Sequence, residues 1–258
     1  MVTVSVIGCG NMGSALITGL SRAGGHRIYA ADLDTDALAA VEGYCEATTT
    51  DPAEVDDSEV VFVAVKPDIV GAVLDGIDVP AGSTLVTIAA GVTTDYVAPR
   101  TDANVVRLMP NLNAETREMA GAVAGDHIPD VMFELLDDLG EYAEIEESLM
   151  DTATALNGSG PAFVFYLIGA MRDGAVAEGM DPEAAETLAA QTFKGAAETV
   201  LRSDRSSEAL IDAVCSPNGT TIEGMESLWD SPVEDEVAAA VEAAARRSRE
   251  LSAEVGDE

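Results

Sequence analysis

Between residues 2 and 23 the chain passes from a short apolar run, through three closely spaced glycines, into a helical pattern. Few folds accept that order. Val2–Gly8 (VTVSVIG) is too short for a helix and almost continuously apolar, as a strand buried on both faces should be. From Asn11 to about Ala23 the apolar residues Met12, Ala15, Leu16 and Leu20 recur at helical spacing. Between the two, Gly8-Cys9-Gly10-Asn11-Met12-Gly13 fits G-x-G-x-x-G. The bare pattern is weak, but directly after a strand and opening a helix it is specific. Gly8 permits a tight turn, Gly10 lets a pyrophosphate approach the backbone, and Gly13 lets helix and strand pack closely. Asn11 and Met12 lie in the first helical turn, whose N–H groups and positive dipole suit phosphates. The segment reads as the start of a dinucleotide-binding unit.

The next stretch repeats the alternation. Arg27–Asp32 (RIYAAD), Glu59–Lys66 (EVVFVAVK), Thr84–Ala90 (TLVTIAA) and Asn104–Met109 (NVVRLM) read as strands. Helical patches are expected at Asp36–Val41, Asp68–Ile77 and Asp95–Arg100. Doubly buried strands alternating with helices imply a parallel sheet covered on both sides. From about residue 150 the strand-like runs stop. Ala162–Glu178, Pro182–Arg202, Glu208–Val214, Glu223–Trp229 and Val233–Ser252 carry helical periodicity. Pro161 and Pro182 suit first-turn positions, and Asp181 can cap the second of these helices. The expected fold class is α/β: an N-terminal Rossmann dinucleotide-binding domain over residues 1–150, and a C-terminal all-α domain over 151–258. The boundary is expected in a helix-rich connection near Glu147–Thr152. Small residues on the helix faces suggest that the second domain completes its core with a partner chain.

Asp32 ends the second strand, 19 residues after Gly13. A carboxylate there can accept hydrogen bonds from both ribose hydroxyls and would repel a 2′-phosphate. The following residues, Leu33, Asp34, Thr35 and Asp36, contain no arginine. NAD(P)H is the expected cofactor, with NADH favoured over NADPH. The charge excludes other classes of partner. Lys+Arg number 13 against 47 Asp+Glu, for a net charge of −34. Such a surface repels nucleic-acid phosphates and anionic lipid, while a hydrophobic fraction of 47% excludes a disordered acidic chain. Lysine occurs only at Lys66 and Lys194, and aromatics make up 4%. This balance reads as adaptation to concentrated salt, where at ~1 M the Debye length is about 3 Å. Cys9, Cys45 and Cys215 have no paired or metal-type spacing, and His26 and His127 form no cluster with them. No metal site is expected. No leader pattern and no apolar stretch approaching ~20 residues is present, so a cytoplasmic location without a membrane partner is expected.

Five segments carry a further likeness: Val6–Gly13 (VIGCGNMG), Ala64–Pro67 (AVKP), Ile88–Val92 (IAAGV), Leu156–Phe163 (LNGSGPAF) and Val214–Glu223 (VCSPNGTTIE). In sequence, order and spacing the chain resembles the pyrroline-5-carboxylate reductases. The resemblance implies hydride transfer from NAD(P)H to the C=N bond of 1-pyrroline-5-carboxylate, giving L-proline in the last step of its synthesis. It implies that Val65, Lys66 and Pro67 lie beside the adenosine and phosphates. Ala89, Ala90, Gly91 and Asn111 would border the nicotinamide, and Gly158–Pro161 would form a turn shaping the substrate pocket. The small-molecule substrate's carboxylate would sit on the backbone around Ser216, Asn218 and Gly219, with the hydroxyls of Thr220 and Thr221. Residue chemistry agrees, because a tight turn that starts a helix offers an anion site without lysine. Thr221 matches the threonine near the ring nitrogen and is the candidate catalytic residue. The resemblance also implies a homodimer through the helical domain, extending to a larger ring of dimers, with active sites that combine two chains.

The chain departs from the family pattern at Leu112-Asn113, where Thr-Pro is common. It departs again at Asn218, where Gly is usual, and at Asn157, where Ser is common. Asn tolerates left-handed backbone, so the turn at Asn218 should survive. Three alternatives stay open: a deazaflavin-dependent NADP reductase, a hydroxyacid dehydrogenase, and a non-catalytic dinucleotide-sensing protein. A hydroxyacid dehydrogenase would need a lysine acid/base in the helical half, where Lys194 is the one candidate.

Overall fold

The structure, a computed structural model, describes residues 1–55 and 57–256. The first part alternates as β1 (Thr3–Ile7), α1 (Asn11–Ala23), β2 (Arg27–Ala31), α2 (Thr35–Val41), β3 (Ala47–Thr49), β4 (Val60–Val63), α3 (Val70–Leu74), β5 (Thr84–Thr87), α4 (Thr94–Val97) and β6 (Asn104–Met109). It continues as β7 (Met119–Ala124), α5 (Asp130–Leu139) and β8 (Gly140–Glu144). One sheet holds all eight strands in the order β3-β2-β1-β4-β5-β6-β7-β8. β1 to β6 are mutually parallel, and the strand order reverses beside β1, where Ile7 pairs with both Ala31 and Val63. Ligands of such sheets bind outside the carboxyl ends of the strands at this reversal.

The five strands read from the sequence are parallel, as expected, and the sheet continues past β6 with two strands that were not read. β7 runs antiparallel to β6, and β8 lies parallel to β7. The connection from Met109 to Met119 holds only a short 3₁₀ turn, Leu112–Thr116. A parallel return needs a crossover of a dozen or more residues, so the chain turns back. Strands alternate their apolar residues between two layers. Val4, Val6 and Phe62 pack with Leu16, Ile17 and Leu20 of α1 and with Leu135 and Leu139 of α5. Ile7, Val61, Val63 and Leu85 pack with Val70 and Leu74 of α3 and Val97 of α4.

The remaining elements are α6 (Met150–Ala153), α7 (Gly160–Ala177), α8 (Pro182–Leu201), α9 (Ser207–Val214), α10 (Thr220–Trp229) and α11 (Val233–Gly256). As expected, Pro182 opens α8 and Asp181 caps it, accepting from the N–H groups of Glu183 and Ala184 at 3.1 Å each. The expected turn at Gly158–Pro161 is instead a π-helical turn, Thr154–Gly158, between α6 and α7. Pro161 has no N–H for the carbonyl of Asn157, four residues back. That oxygen accepts from the Asn111 amide at 3.1 Å instead.

Packing divides the chain into Met1–Ser159 together with the residues from Glu242 onward, and Gly160–Val241. The first unit thus extends past residue 150. Met150 is buried with Met109, Ala122 and Ala124, and the Asn157 amide donates to the carbonyls of Met109 (2.7 Å) and Ala120 (2.8 Å). In the second unit α7 buries none of its residues within the single chain, and Phe165 and Tyr166 are 65% and 78% exposed. Among the described residues no helix is long and apolar enough to cross a membrane.

Candidate cofactor and substrate sites

The β1–α1 turn separates the glycine requirements that the motif only suggests. Gly8 has φ +102°, and a Cβ there would lie 2.6 Å from the Ala64 carbonyl oxygen. A Cβ at Gly13 would lie 1.9 Å from the Gly8 oxygen. Both glycines are demanded by the chain itself. At Gly10 a Cβ would meet nothing within 4 Å, so the space it faces is open to a ligand. Gly10 is the N-cap of α1 and provides no side-chain cap, and the first turn carries no acidic residue. The first-turn N–H groups of a helix have no partner within it. An exposed helix start, without a cap and without negative charge, fits a pyrophosphate.

Asp32 follows β2 directly. Its Oδ2 accepts from the Cys9 N–H at 2.5 Å and its Oδ1 from the Asp34 N–H at 2.8 Å. The cap of α2 is Asp34, which accepts from the N–H groups of Asp36 and Ala37. Asp32 is therefore no helix cap. Its carboxylate is half-buried and held between the glycine turn and the β2–α2 loop, with acceptor capacity left on each oxygen. The loop after β4 packs against the glycine turn. The Ala64 N–H donates to Ile7 at 2.7 Å, and Ala64 and Val65 press on Gly8. Lys66 is exposed, and Pro67 opens a 3₁₀ turn. Cys9 is a packing residue. Burial first, then the charge of Asp32 and the neighbouring Cys45, pushes its thiol up to about 12.

Two expected nicotinamide neighbours have other partners within the chain. Gly91 has φ +82°, and a Cβ there would lie 2.8 Å from Cα of Ser252. The notch takes the backbone of α11. Asn111 is 3% exposed. Its Oδ1 accepts from the N–H groups of Asn113 and Ala120, and its amide donates to Asn157. It braces the β6–β7 junction. Ala89 is buried and Ala90 half-buried at the end of β5.

Arg107, Glu147 and Asp151 were not singled out by the sequence reading. Arg107 is 4% exposed in β6 and donates through Nη1 to Glu147 Oε1 at 3.2 Å. The available signal was a lone charge inside the apolar run NVVRLM.

In the second unit, Ser216–Gly219 is a tight turn closed by the Gly219 N–H to the Ser216 carbonyl at 2.9 Å. Pro217 and Asn218 occupy its centre, and Asn218 has φ +58°, the residue pattern of a type II turn. The left-handed turn expected at Asn218 is present. A Cβ on Gly219 would lie 2.3 Å from Ser216 Oγ. Gly219 is the N-cap of α10 and provides no side-chain cap. Thr220 and Thr221 fall in the first turn, three residues earlier than the helix was expected to start.

Comparison with known proteins gives matches in both parts of the chain. The family model described as pyrroline-5-carboxylate reductase dimerisation matches residues 147–251. The model described as NADP oxidoreductase, coenzyme F420-dependent, matches residues 3–91, the glycine turn through the β5 loop. The pyrroline-5-carboxylate reductase of Methanosarcina acetivorans is 38% identical, over 96% of this chain and 97% of its own. Pyrroline-5-carboxylate reductase 2 of Bos taurus is 36% identical, over 97% and 84%. Among solved structures, a pyrroline-5-carboxylate reductase from Coxiella burnetii is 28% identical with a TM-score of 0.86, covering 97% of this chain and 98% of that one. The Plasmodium falciparum pyrroline carboxylate reductase with NADP bound is 27% identical with a TM-score of 0.83, at the same coverage. A dinucleotide fold alone would account for the match over residues 3–91; the match over the helical half and the near-complete alignment to reductases go further, and the chain belongs to the pyrroline-5-carboxylate reductase family.

Proposed function

We propose that this chain reduces the C=N bond of 1-pyrroline-5-carboxylate with a nicotinamide hydride to give L-proline. The observation that carries this reading is the near-full-length likeness to the Methanosarcina acetivorans reductase. The open notch at Gly10 and the uncapped start of α10 support it.

Gly8, Gly10, Asn11, Met12 and Gly13 would hold the pyrophosphate, with Val65, Lys66 and Pro67 on the adenosine side. Ala89 and Ala90 would border the nicotinamide ring. Bound there, the cofactor supplies the hydride. Asp32 would accept the ribose hydroxyls and disfavour a 2′-phosphate, so NADH is the preferred cofactor on this reading. The backbone of Ser216, Asn218 and Gly219, with the Thr220 and Thr221 hydroxyls, would take the substrate carboxylate. Thr221 would hold the ring nitrogen.

The open apolar face of α7 supports a homodimer through the helical unit; a ring of such dimers in the cytoplasm extends this reading. Thr221→Ala tests the substrate site. It should lower kcat or raise the substrate KM by about tenfold, about 1.4 kcal/mol, and spare NADH affinity. A loss confined to cofactor binding would move the substrate site elsewhere.

A further inference from the structure

The loop between β5 and α4 is held at two points, its α4 end and its middle, by two carboxylates from one short stretch of chain. At the α4 end, Glu147 Oε1 accepts from the Thr94 N–H at 2.8 Å and Oε2 from the Thr94 hydroxyl at 2.5 Å. Glu147 is itself fixed by buried Arg107 at 3.2 Å. Arg107 pairs in register with Thr87, the last residue of β5, so this tie runs from the strand end before the loop to the helix after it. Toward the middle of the loop the hold is indirect: Asp151 Oδ1 accepts from the hydroxyls of Ser248 (2.6 Å) and Ser252 (2.9 Å). Ser252 lies against Gly91, where no larger residue fits. Glu147 and Asp151 are four residues apart, on a 3₁₀ turn that runs into α6.

We propose that Glu147 and Asp151 are a pair of positioning residues for hydride transfer. They fix the Ile88–Thr93 loop against which the nicotinamide rests, a role that rests on the placement of Ala89 and Ala90 in the proposed function. The loop is built of small residues, and its middle glycine adds backbone freedom. Apolar contacts let such a segment slide, whereas hydrogen bonds to a carboxylate are directional and short. A buried ion pair such as Arg107–Glu147 adds little net stability against apolar packing, so its main effect here is on position.

The test compares Thr94→Val, which removes one bond to Glu147, with the double variant Ser248→Ala/Ser252→Ala, which frees half-buried Asp151. Neither strands the buried Arg107. Each should lower kcat by about tenfold or more, since a displacement of about 1 Å from reacting geometry can cost about a hundredfold. NADH affinity should be unchanged, and the primary isotope effect with NADH deuterated at the transferred position should rise. Ser248→Thr, which keeps the hydroxyl, should retain wild-type kcat. Wild-type kcat and isotope effect in both test variants would overturn the proposal. So would a fall in kcat that tracks lost cofactor affinity and lost thermal stability. Ala90→Val separates the two readings. If it leaves kcat and isotope effect unchanged, the loop does not border the nicotinamide and both readings fail. If it alters them while the test variants do not, only the positioning role fails.

Discussion

Asp32 gives up one lone pair on each oxygen to backbone N–H groups, at Cys9 and at Asp34. The carboxylate is thereby oriented before any ligand arrives, and its remaining acceptor sites suit a diol. Asp32→Ser should therefore raise the NADPH/NADH ratio of kcat/KM by at least about tenfold, about 1.4 kcal/mol. An unchanged ratio in steady-state assays with both cofactors would remove Asp32 from the ribose. Its place at the end of β2 was legible from its distance to Gly13. Its anchoring on the Cys9 N–H was not, because a backbone donor leaves no trace in residue identity. Asn111 shows the opposite limit. Its motif marked a ligand neighbour, while its amide closes contacts to Asn113, Ala120 and Asn157 that depend on how β6 and β7 meet.

At the scale of elements, the β1–α1 unit gives a paired test. Gly13→Ala would drive a Cβ into the Gly8 carbonyl at 1.9 Å and should cost about 3 kcal/mol or more of stability. Gly10→Ala meets nothing within 4 Å. It should cost under about 1 kcal/mol yet raise the NADH Kd by about tenfold or more. Thermal melts and cofactor titrations on the two variants check this, and equal losses of stability would place Gly10 in the fold and not in the binding notch. α1 and the strands β1, β2 and β4 to β6 were readable because each is apolar on a regular period and buried. β3 and β8 escaped for the converse reason. They are edge strands, and β8 (GEYAE) shows charge to solvent, as edges must. β7 (MAGAVA) is mostly small residues that mimic a loop. α5 did carry a pattern, with Met132, Leu135, Leu136 and Leu139 buried on one side, but it is only ten residues long and lies between two strands without a legible period.

For the molecule as a whole, a net charge of −34 sits beside two sites that would receive anions. Both would rest mainly on helix starts and turn backbone, with Lys66 the one lysine placed beside the cofactor. The surface itself remains self-repelling in dilute buffer. Its Tm should rise steadily as KCl increases from about 0.1 M to about 1 M, while the Debye length falls from about 10 to about 3 Å. A flat or falling Tm would contradict the salt-adapted reading. The division into a sheet unit and a helical unit was legible from the change of pattern near residue 150. The return of α11 to the sheet unit was not, since it depends on Asp151, Ser248 and the notch at Gly91. The most direct test of the assignment is turnover by the purified protein in concentrated KCl, with 1-pyrroline-5-carboxylate and each nicotinamide cofactor in turn. The expected result is oxidation of the cofactor matched one for one by L-proline, faster with NADH than with NADPH. No oxidation with either cofactor would contradict the assignment.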